Sequence, residues 1–556
     1  MSSPSVTADA APAVPARFWH RDLAAYPRSG RRYAYLAIVV LTTIVLYYLL
    51  YIQYAVATSI MTRYHMTFTY FIWMSVIGNA VGAAASLIAG LADRWGRANL
   101  VVYGLLAAGV LVLTLPSVTG KGAFLALFAA LSFVEGLILV ATPALIRDFS
   151  PQLGRATAMG AWAVGPVAGS LVVTTVTSRT LDSSTWQDEL HYAGVSSLIV
   201  FVVALFGLRE LSPRLRDQIM VSMRDRALVE ARARGIDPEQ EPSGHWRQML
   251  RPAVVGPAFA VSVYLLLYYA LVGNLVIYFS AVYGYSEQRA NAVANWYWAS
   301  NAIGLIVAGL VSDRLKVRKP LMIAGCLGTI VTTAVFAELA TRPDTGYHTF
   351  ALVFLAGGAL AGVTYAPWMA AFTETVEERN PAATATGLAV WGWILRVVVA
   401  VSAAFVPVVV TSVTPIVDHG TEVAAANAKA GPALAIITAH PATFAELAKY
   451  PPTAIPPDVL GRAVADVGAA GLRQVQQAQP DLAVLQAHGA EVAKAVKDGP
   501  GQWQTWWWVT LAGQVLFLPF AAMMRGRWSP RRAREDAEAH AVAVERELAK
   551  LQAHDG

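Results

Sequence analysis

Charged residues are scarce in this chain: Asp, Glu, Lys and Arg make up 14% of 556 residues, against 56% hydrophobic. Ordinary soluble domains carry roughly 25% charged residues, so a water-exposed globular protein is excluded and an all-α polytopic membrane protein is implied. Cysteine is rarer still. Cys326 stands alone inside an apolar run, which rules out an intrachain disulfide and makes redox chemistry unexpected. No Gly-Lys-Ser/Thr phosphate loop occurs, so ATP hydrolysis has no support. There is no His/Cys/Asp cluster or nucleophile elbow either, and neither enzymatic activity, nor a metal, nor another cofactor is expected. Nucleic acid is not an expected partner. The first 32 residues contain no central apolar run, and the apolar stretch that follows is long enough to span, so no cleavable signal peptide is expected.

What the chain has in abundance is uninterrupted apolar sequence. Runs near twenty residues, the length that crosses hydrocarbon, lie at about 33 to 56, 68 to 92, 99 to 117, 122 to 146, 156 to 178 and 191 to 208. A second set lies at about 254 to 281, 290 to 311, 320 to 340, 349 to 373, 383 to 413 and 503 to 524. Twelve transmembrane helices in two sets of six follow. Arg28, Arg31 and Arg32 precede the first span, and Arg525, Arg527, Arg531, Arg532 and Arg534 follow the last. The positive-inside rule therefore places both termini in the cytoplasm of a multi-pass plasma-membrane protein. Loops with Arg94 and Arg97, Arg147 and Arg155, and Arg314 to Lys319 fall on the same side, whereas opposite loops hold single basic residues such as Arg63, Lys121 and Arg342.

The expected organisation is a cytoplasmic tail (1–32), a six-helix bundle (33–208), a charge-mixed cytoplasmic loop (209–253), a second bundle (254–525) and a cytoplasmic tail (526–556). Residues 415–502 interrupt the second bundle between its last two spans. Pro451-Pro452 and Pro456-Pro457 punctuate alanine-rich stretches there, such as Val459 to Gln477, which read as short amphipathic helices of a small extracellular cap.

Two motifs repeat. Leu91-Ala92-Asp93-Arg94-Trp95-Gly96-Arg97 follows the second span, and Gly309-Leu310-Val311-Ser312-Asp313-Arg314 follows the eighth, with the aspartates 220 positions apart. Ala156-Thr157-Ala158-Met159-Gly160, with Gly165 after it, recurs as Ala383-Thr384-Ala385-Thr386-Gly387 with Gly392 after it, at an offset of 227. Charge directly after a membrane-length run must lie at the membrane surface, and two similar offsets indicate two homologous halves.

The first motif and its copy resemble the loops between helices 2 and 3, and 8 and 9, of the major facilitator superfamily. That resemblance implies two parallel, pseudo-symmetric six-helix bundles around a solute site near the bilayer midplane. It also implies a conformational latch. Asp93 would approach the N-terminus of the eleventh helix, where free amides and the helix dipole favour an anion, and Arg97 would face Asp148. Arg94, Asp313 and Arg314 complete the set. The match is imperfect: Ala89 stands in place of the usual first glycine, Ala98 in place of a basic residue, and Lys316 in place of the second copy's second glycine.

Gly165-Pro166 and Gly169 on the fifth span resemble the glycine-proline motif of proton-coupled exporters, where small residues permit close helix approach and proline bends the span. Leu208-Arg209-Glu210-Leu211-Ser212-Pro213-Arg214 is similar to the Pro-Glu-Ser-Pro-Arg element of sugar and metabolite symporters but lacks its leading proline; sugar uptake is not assigned on it.

Glu135 and Arg396 fall near the bilayer centre, where a charge is expensive unless it meets water or a partner. Glu135 is the proton-carrier candidate; Arg396 is suited to receive a carboxylate or to pair with Glu135. Their repeat positions hold Gly362 and Gly169, and charge without symmetry points to function. A structural contact between helices is the competing account of both. The cavity-lining candidates are Tyr51, Tyr268, Tyr269, Asn295 and Trp391, among aromatics that include Tyr47, Tyr54, Trp298, Tyr365 and Trp368. They suit a partly apolar organic solute.

The resulting expectation is a secondary transporter, a monomer in the bilayer, moving a small organic solute, with an organic anion as the candidate, by alternating access with proton coupling. A proton-coupled exporter of amphipathic drugs is the alternative within transport. From another class, a transporter-like sensor or scaffold whose cap binds a partner remains open.

Overall fold

A computed structural model describes residues 21–23, 25–87, 96–149, 162–212, 215, 249–377, 384–451, 454–524 and 528–554. The first half consists of α1 (Ser29–Ala55), α2 (Ala57–Tyr64), α3 (Phe68–Leu87), α4 (Arg97–Thr114), α5 (Lys121–Phe149), α6 (Gly165–Thr180) and α7 (Trp186–Gly207). The second half consists of α8 (Pro252–Tyr264), α9 (Leu266–Tyr283), α10 (Glu287–Leu315), α11 (Lys319–Leu339), α12 (Tyr347–Glu377) and α13 (Thr384–Val409). Between α13 and the last span lie α14 (Val413–Ala439), α15 (Pro441–Leu447), α16 (Pro457–Val467), α17 (Ala469–Gln477) and α18 (Gln479–Val484). A single π-helical turn over Leu485–Gly489 leads into α19 (Ala490–Met523), and α20 (Pro530–His554) ends the chain.

Among the described residues, ten helices are long and apolar enough to cross a membrane. They form because an apolar run in hydrocarbon can satisfy its backbone only internally. Two further traversals complete two sets of six. One is α6, which begins at Gly165. The other is α10, whose 29 residues carry Glu287, Arg289, Asp313 and Arg314 near the ends and Asn291, Asn295 and Asn301 between them. The first span, α1 with α2, breaks at Val56, and the seventh, α8 with α9, breaks at Leu265.

Corresponding helix pairs pack closely in the two halves, α3 on α5 and α10 on α12. A Cβ on Gly136 of α5 would lie 2.3 Å from the Gly82 carbonyl of α3. One on Gly362 of α12 would lie 2.5 Å from the Leu305 amide of α10. Gly362 is the repeat partner of Glu135, and Gly169, the repeat partner of Arg396, would place a Cβ 2.5 Å from that of Tyr47. At both positions an added side chain would force the neighbouring helix to shift.

On the terminal side, Asp22–Leu23 pairs in parallel with Glu210–Leu211. The buried Arg21 guanidinium donates to the Leu205 carbonyl at 2.6 Å, to that of Leu208 at 3.2 Å and to Asn99 Oδ1 at 3.1 Å. It thereby satisfies the last carbonyls of α7, which lack intrahelical donors. On the far side, which carries α14 to α18, the halves meet: α6 packs on α10, α2 on α9, and α14 on both α2 and α3.

Candidate functional site

Glu135 lies in the middle of α5, is 2% exposed, and neither carboxyl oxygen has a hydrogen-bond partner. Leaving an ionised carboxylate in that condition costs several kcal/mol, so the group needs a proton or a cation. Arg396 lies on α13 of the other half. No hydrogen bond joins the two, since neither oxygen of Glu135 has a hydrogen-bond partner. Tyr47 of α1 lies near Glu135, Arg396 and Tyr269.

Aromatics surround this centre from both halves. Tyr51 and Tyr47 have ring centroids 5.4 Å apart, and Tyr268 lies 5.0 Å from Tyr269 and 5.1 Å from Trp298. Tyr51 is within electrostatic range of Tyr268 and Tyr269 across the interface between the halves. Trp391 packs 5.4 Å from Trp368 and 6.5 Å from Tyr365, which itself is in range of Tyr47 and Tyr269. Tyr54, hydrogen-bonded to Ser75 at 2.7 Å, is in range of Glu135. These pairs combine large apolar contact with polar tips.

A small cleft of about 30 Å³ lies between the halves, lined by Tyr51, Tyr54, Ser170, Thr174, Leu271, Leu275, Asn291 and Trp298 among others. That is room for a water molecule rather than for an organic solute. Its walls are apolar, aromatic and neutral-polar, and the two central charges lie outside its lining. Asn295 does not join the centre. It accepts from Thr174 at 2.6 Å and from Thr175 at 3.1 Å, and donates to Ser178 at 2.9 Å, so it joins α10 to α6.

Gly165 and Gly169 let α6 lie against α1: a Cβ on Gly165 would come within 2.6 Å of Thr43 Cγ2. Pro166, in the first turn of α6, needs no backbone donor there. The glycine-proline segment therefore sets the distance between α6 and the helix that carries Tyr47, Tyr51 and Tyr54.

Asp93 and Arg94 lie outside the described residues. Arg97 Nη1 donates to both carboxylate oxygens of Asp148, at 2.8 Å and 2.9 Å, with side chains 17% and 7% exposed. The Arg97 amide also donates to Glu210 Oε2 at 2.8 Å, tying the start of α4 to the segment after α7. In the second half, Asp313 pairs with Arg318 at 2.7 Å, Arg318 pairs with Glu374 at 3.0 Å, and Arg314 is exposed. Arg318 with Glu374 is the counterpart of Arg97 with Asp148. Sequence reasoning missed this pair, although Arg318 and Glu374 follow Arg97 and Asp148 by 221 and 226 positions, close to the motif offsets of 220 and 227. Both copies place a positive φ at the equivalent position, +89° at Gly96 and +55° at Lys316, but only Lys316 is in the left-handed helical region.

The family model for the Major Facilitator Superfamily matches residues 39–407. The fold is similar to that of a bacterial homologue of the human lysosomal transporter Spinster, solved inward-facing and occupied. At 14% identity, the match covers 91% of this chain and 100% of that one with a TM-score of 0.58. The same bacterial homologue in its inward-facing, unoccupied conformation gives a TM-score of 0.55 over 90% of this chain and 98% of that one, again at 14% identity. Among curated proteins, none matches the sequence.

Proposed function

The chain belongs to the major facilitator superfamily, and on that premise we propose that it carries a small, partly apolar organic anion across the plasma membrane by alternating access coupled to protons. Family and fold make it a multi-pass membrane transporter rather than an enzyme. The finer reading rests on one observation: a buried carboxyl without a partner and an arginine from the opposite half share the neighbourhood of one tyrosine, Tyr47.

In this reading Glu135 carries the proton and Arg396 holds the solute's ionised group through its planar two-pronged donor. The apolar part of the solute lies against Tyr51, Tyr268, Tyr269 and Trp391. The far side faces out, with both termini in the cytoplasm, and the structure's far-side contacts correspond to an outward-closed state. The charged clusters around Arg97 and Arg318 lie on the inner side, where the family resemblance assigns a latch for the opposite state.

Uptake into proteoliposomes under an imposed pH gradient, across a panel of organic acids and lipophilic cations, tests the assignment. A gradient-driven flux of acids that Arg396→Lys weakens about tenfold in affinity, the equivalent of about 1.4 kcal/mol, supports it. Flux of cations with unchanged affinity in Arg396→Lys replaces the anion reading with drug export.

A further inference from the structure

Glu287 is the first residue of α10, in the second half, yet its carboxylate is spent on the first half. Oε1 accepts from the Thr58 hydroxyl at 2.6 Å and from the Ser59 amide at 2.8 Å; Oε2 accepts from the Ser59 hydroxyl at 2.6 Å. The residue is 8% exposed. Its donors are the second and third residues of α2, the short helix created by the break of the first span at Val56 (φ −119°, ψ 32°).

Such a break has a physical consequence. The first amides of a new helix have no intrahelical acceptor and carry the positive end of its dipole. Val56 supplies no side-chain cap. The cap arrives from across the molecule, as an anion accepting three hydrogen bonds, and hydrogen bonds to a charged group are the strong ones.

Glu287 heads a polar stripe. Asn291 Nδ2 donates to the Ala55 carbonyl at 2.9 Å, Gln288 Nε2 to the Ser178 carbonyl at 3.3 Å, and Asn295 binds Thr174, Thr175 and Ser178. Positions 287, 288, 291 and 295 share one side of α10, and every one of these bonds crosses between the halves. Asn291 of this stripe and Ala55 also line the central cleft.

We propose that Glu287 is the outer-gate residue of the transport cycle: by capping α2 from the opposite half it holds the far side shut, and it must withdraw before solute can pass there. The inference rests on the alternating-access reading above. It needs no assumption about the solute, so the two fail separately.

The chain's single native cysteine makes the test clean, because Cys326 is fully buried in the second half. Leu275, 3% exposed in the cleft wall, is replaced by cysteine. A membrane-impermeant maleimide is then applied from the side that carries α14 to α18, and labelling of the two cysteines is measured separately by mass spectrometry. Adding Glu287→Ala is expected to raise the labelling rate at position 275 at least tenfold while Cys326 stays unreactive. Thr58→Ala with Ser59→Ala should raise it similarly, and combining these with Glu287→Ala should add little, because all three residues make one interaction. Labelling at 275 that stays at the parent rate overturns the gate, and so does labelling that rises at Cys326 as well, the mark of a loosened fold. Should Glu287→Ala not fold, Ser59→Ala alone, which removes one hydroxyl donor, must give a smaller rise in the same direction; no rise refutes the proposal.

Discussion

Gly165 and Gly392 occupy equivalent positions in the two halves, and replacing each with alanine should have opposite consequences. At Gly165 the added Cβ would come within 2.6 Å of Thr43 Cγ2, and at Gly169, one turn further, within 2.5 Å of Tyr47 Cβ and 3.0 Å of the Ile44 carbonyl. Ordinary carbon contacts lie at roughly 3.5 to 4.0 Å, so α6 must retreat from α1 by about 1 Å. Overpacking of this kind costs about 1 to 3 kcal/mol. At Gly392 nothing lies within 4 Å of the added atom, and alanine in a helix interior gains about 0.5 to 1 kcal/mol over glycine. The assay is thermal unfolding of detergent-purified protein together with solute affinity. Gly169→Ala should unfold at lower temperature and bind solute more weakly, because Tyr47 is displaced from Glu135 and Arg396; Gly392→Ala should unfold at an equal or higher temperature with affinity intact. If Gly169→Ala matches the parent in both measurements, the packing argument fails, and with it the link from the glycine-proline segment to the site.

The two ion-pair clusters should differ in weight. Asp148 is 7% exposed and accepts from Arg97 Nη1 at both oxygens, so Asp148→Ala should lower unfolding stability by about 3 kcal/mol. Glu374 is 49% exposed, and Glu374→Ala should cost under about 1 kcal/mol; denaturant titration of both variants checks the order. Lys316 adopts φ +55°, a conformation that disfavours residues bearing a Cβ by roughly 1 to 2 kcal/mol. Lys316→Gly should therefore leave the protein equally or more heat-stable, and a clear loss would show that the lysine side chain contributes more than its strained backbone removes.

The span pattern, the internal repeat and the two unduplicated charges were legible because each rests on a local signal: apolar length, motif spacing, and charge inside hydrocarbon. Interactions set by tertiary contact were not. Ala55-Val56-Ala57 is as apolar as its flanks, and nothing in it announces the break that creates α2, whose first turn is capped by Glu287 from 228 positions away. Glu287 itself reads as an ordinary first-turn acid of α10. Arg318 and Glu374 were hidden by the same remoteness. The last apolar run begins near 503, whereas α19 starts at Ala490 and continues through Pro500, a residue that local rules treat as a helix end. Asn295 carries the right chemistry for a solute contact, but α10 turns it towards Thr174, Thr175 and Ser178 of α6.

The central claim is that Glu135 carries the coupled proton, and pH-driven uptake compared with solute exchange in proteoliposomes containing Glu135→Gln tests it most directly. Glutamine keeps the size of the side chain and removes its titration. The account predicts that uptake driven by the pH gradient is abolished while exchange of labelled for unlabelled solute proceeds at the parent rate. Gradient-driven uptake at the parent rate in Glu135→Gln would contradict it and would leave the buried carboxyl with a structural role alone.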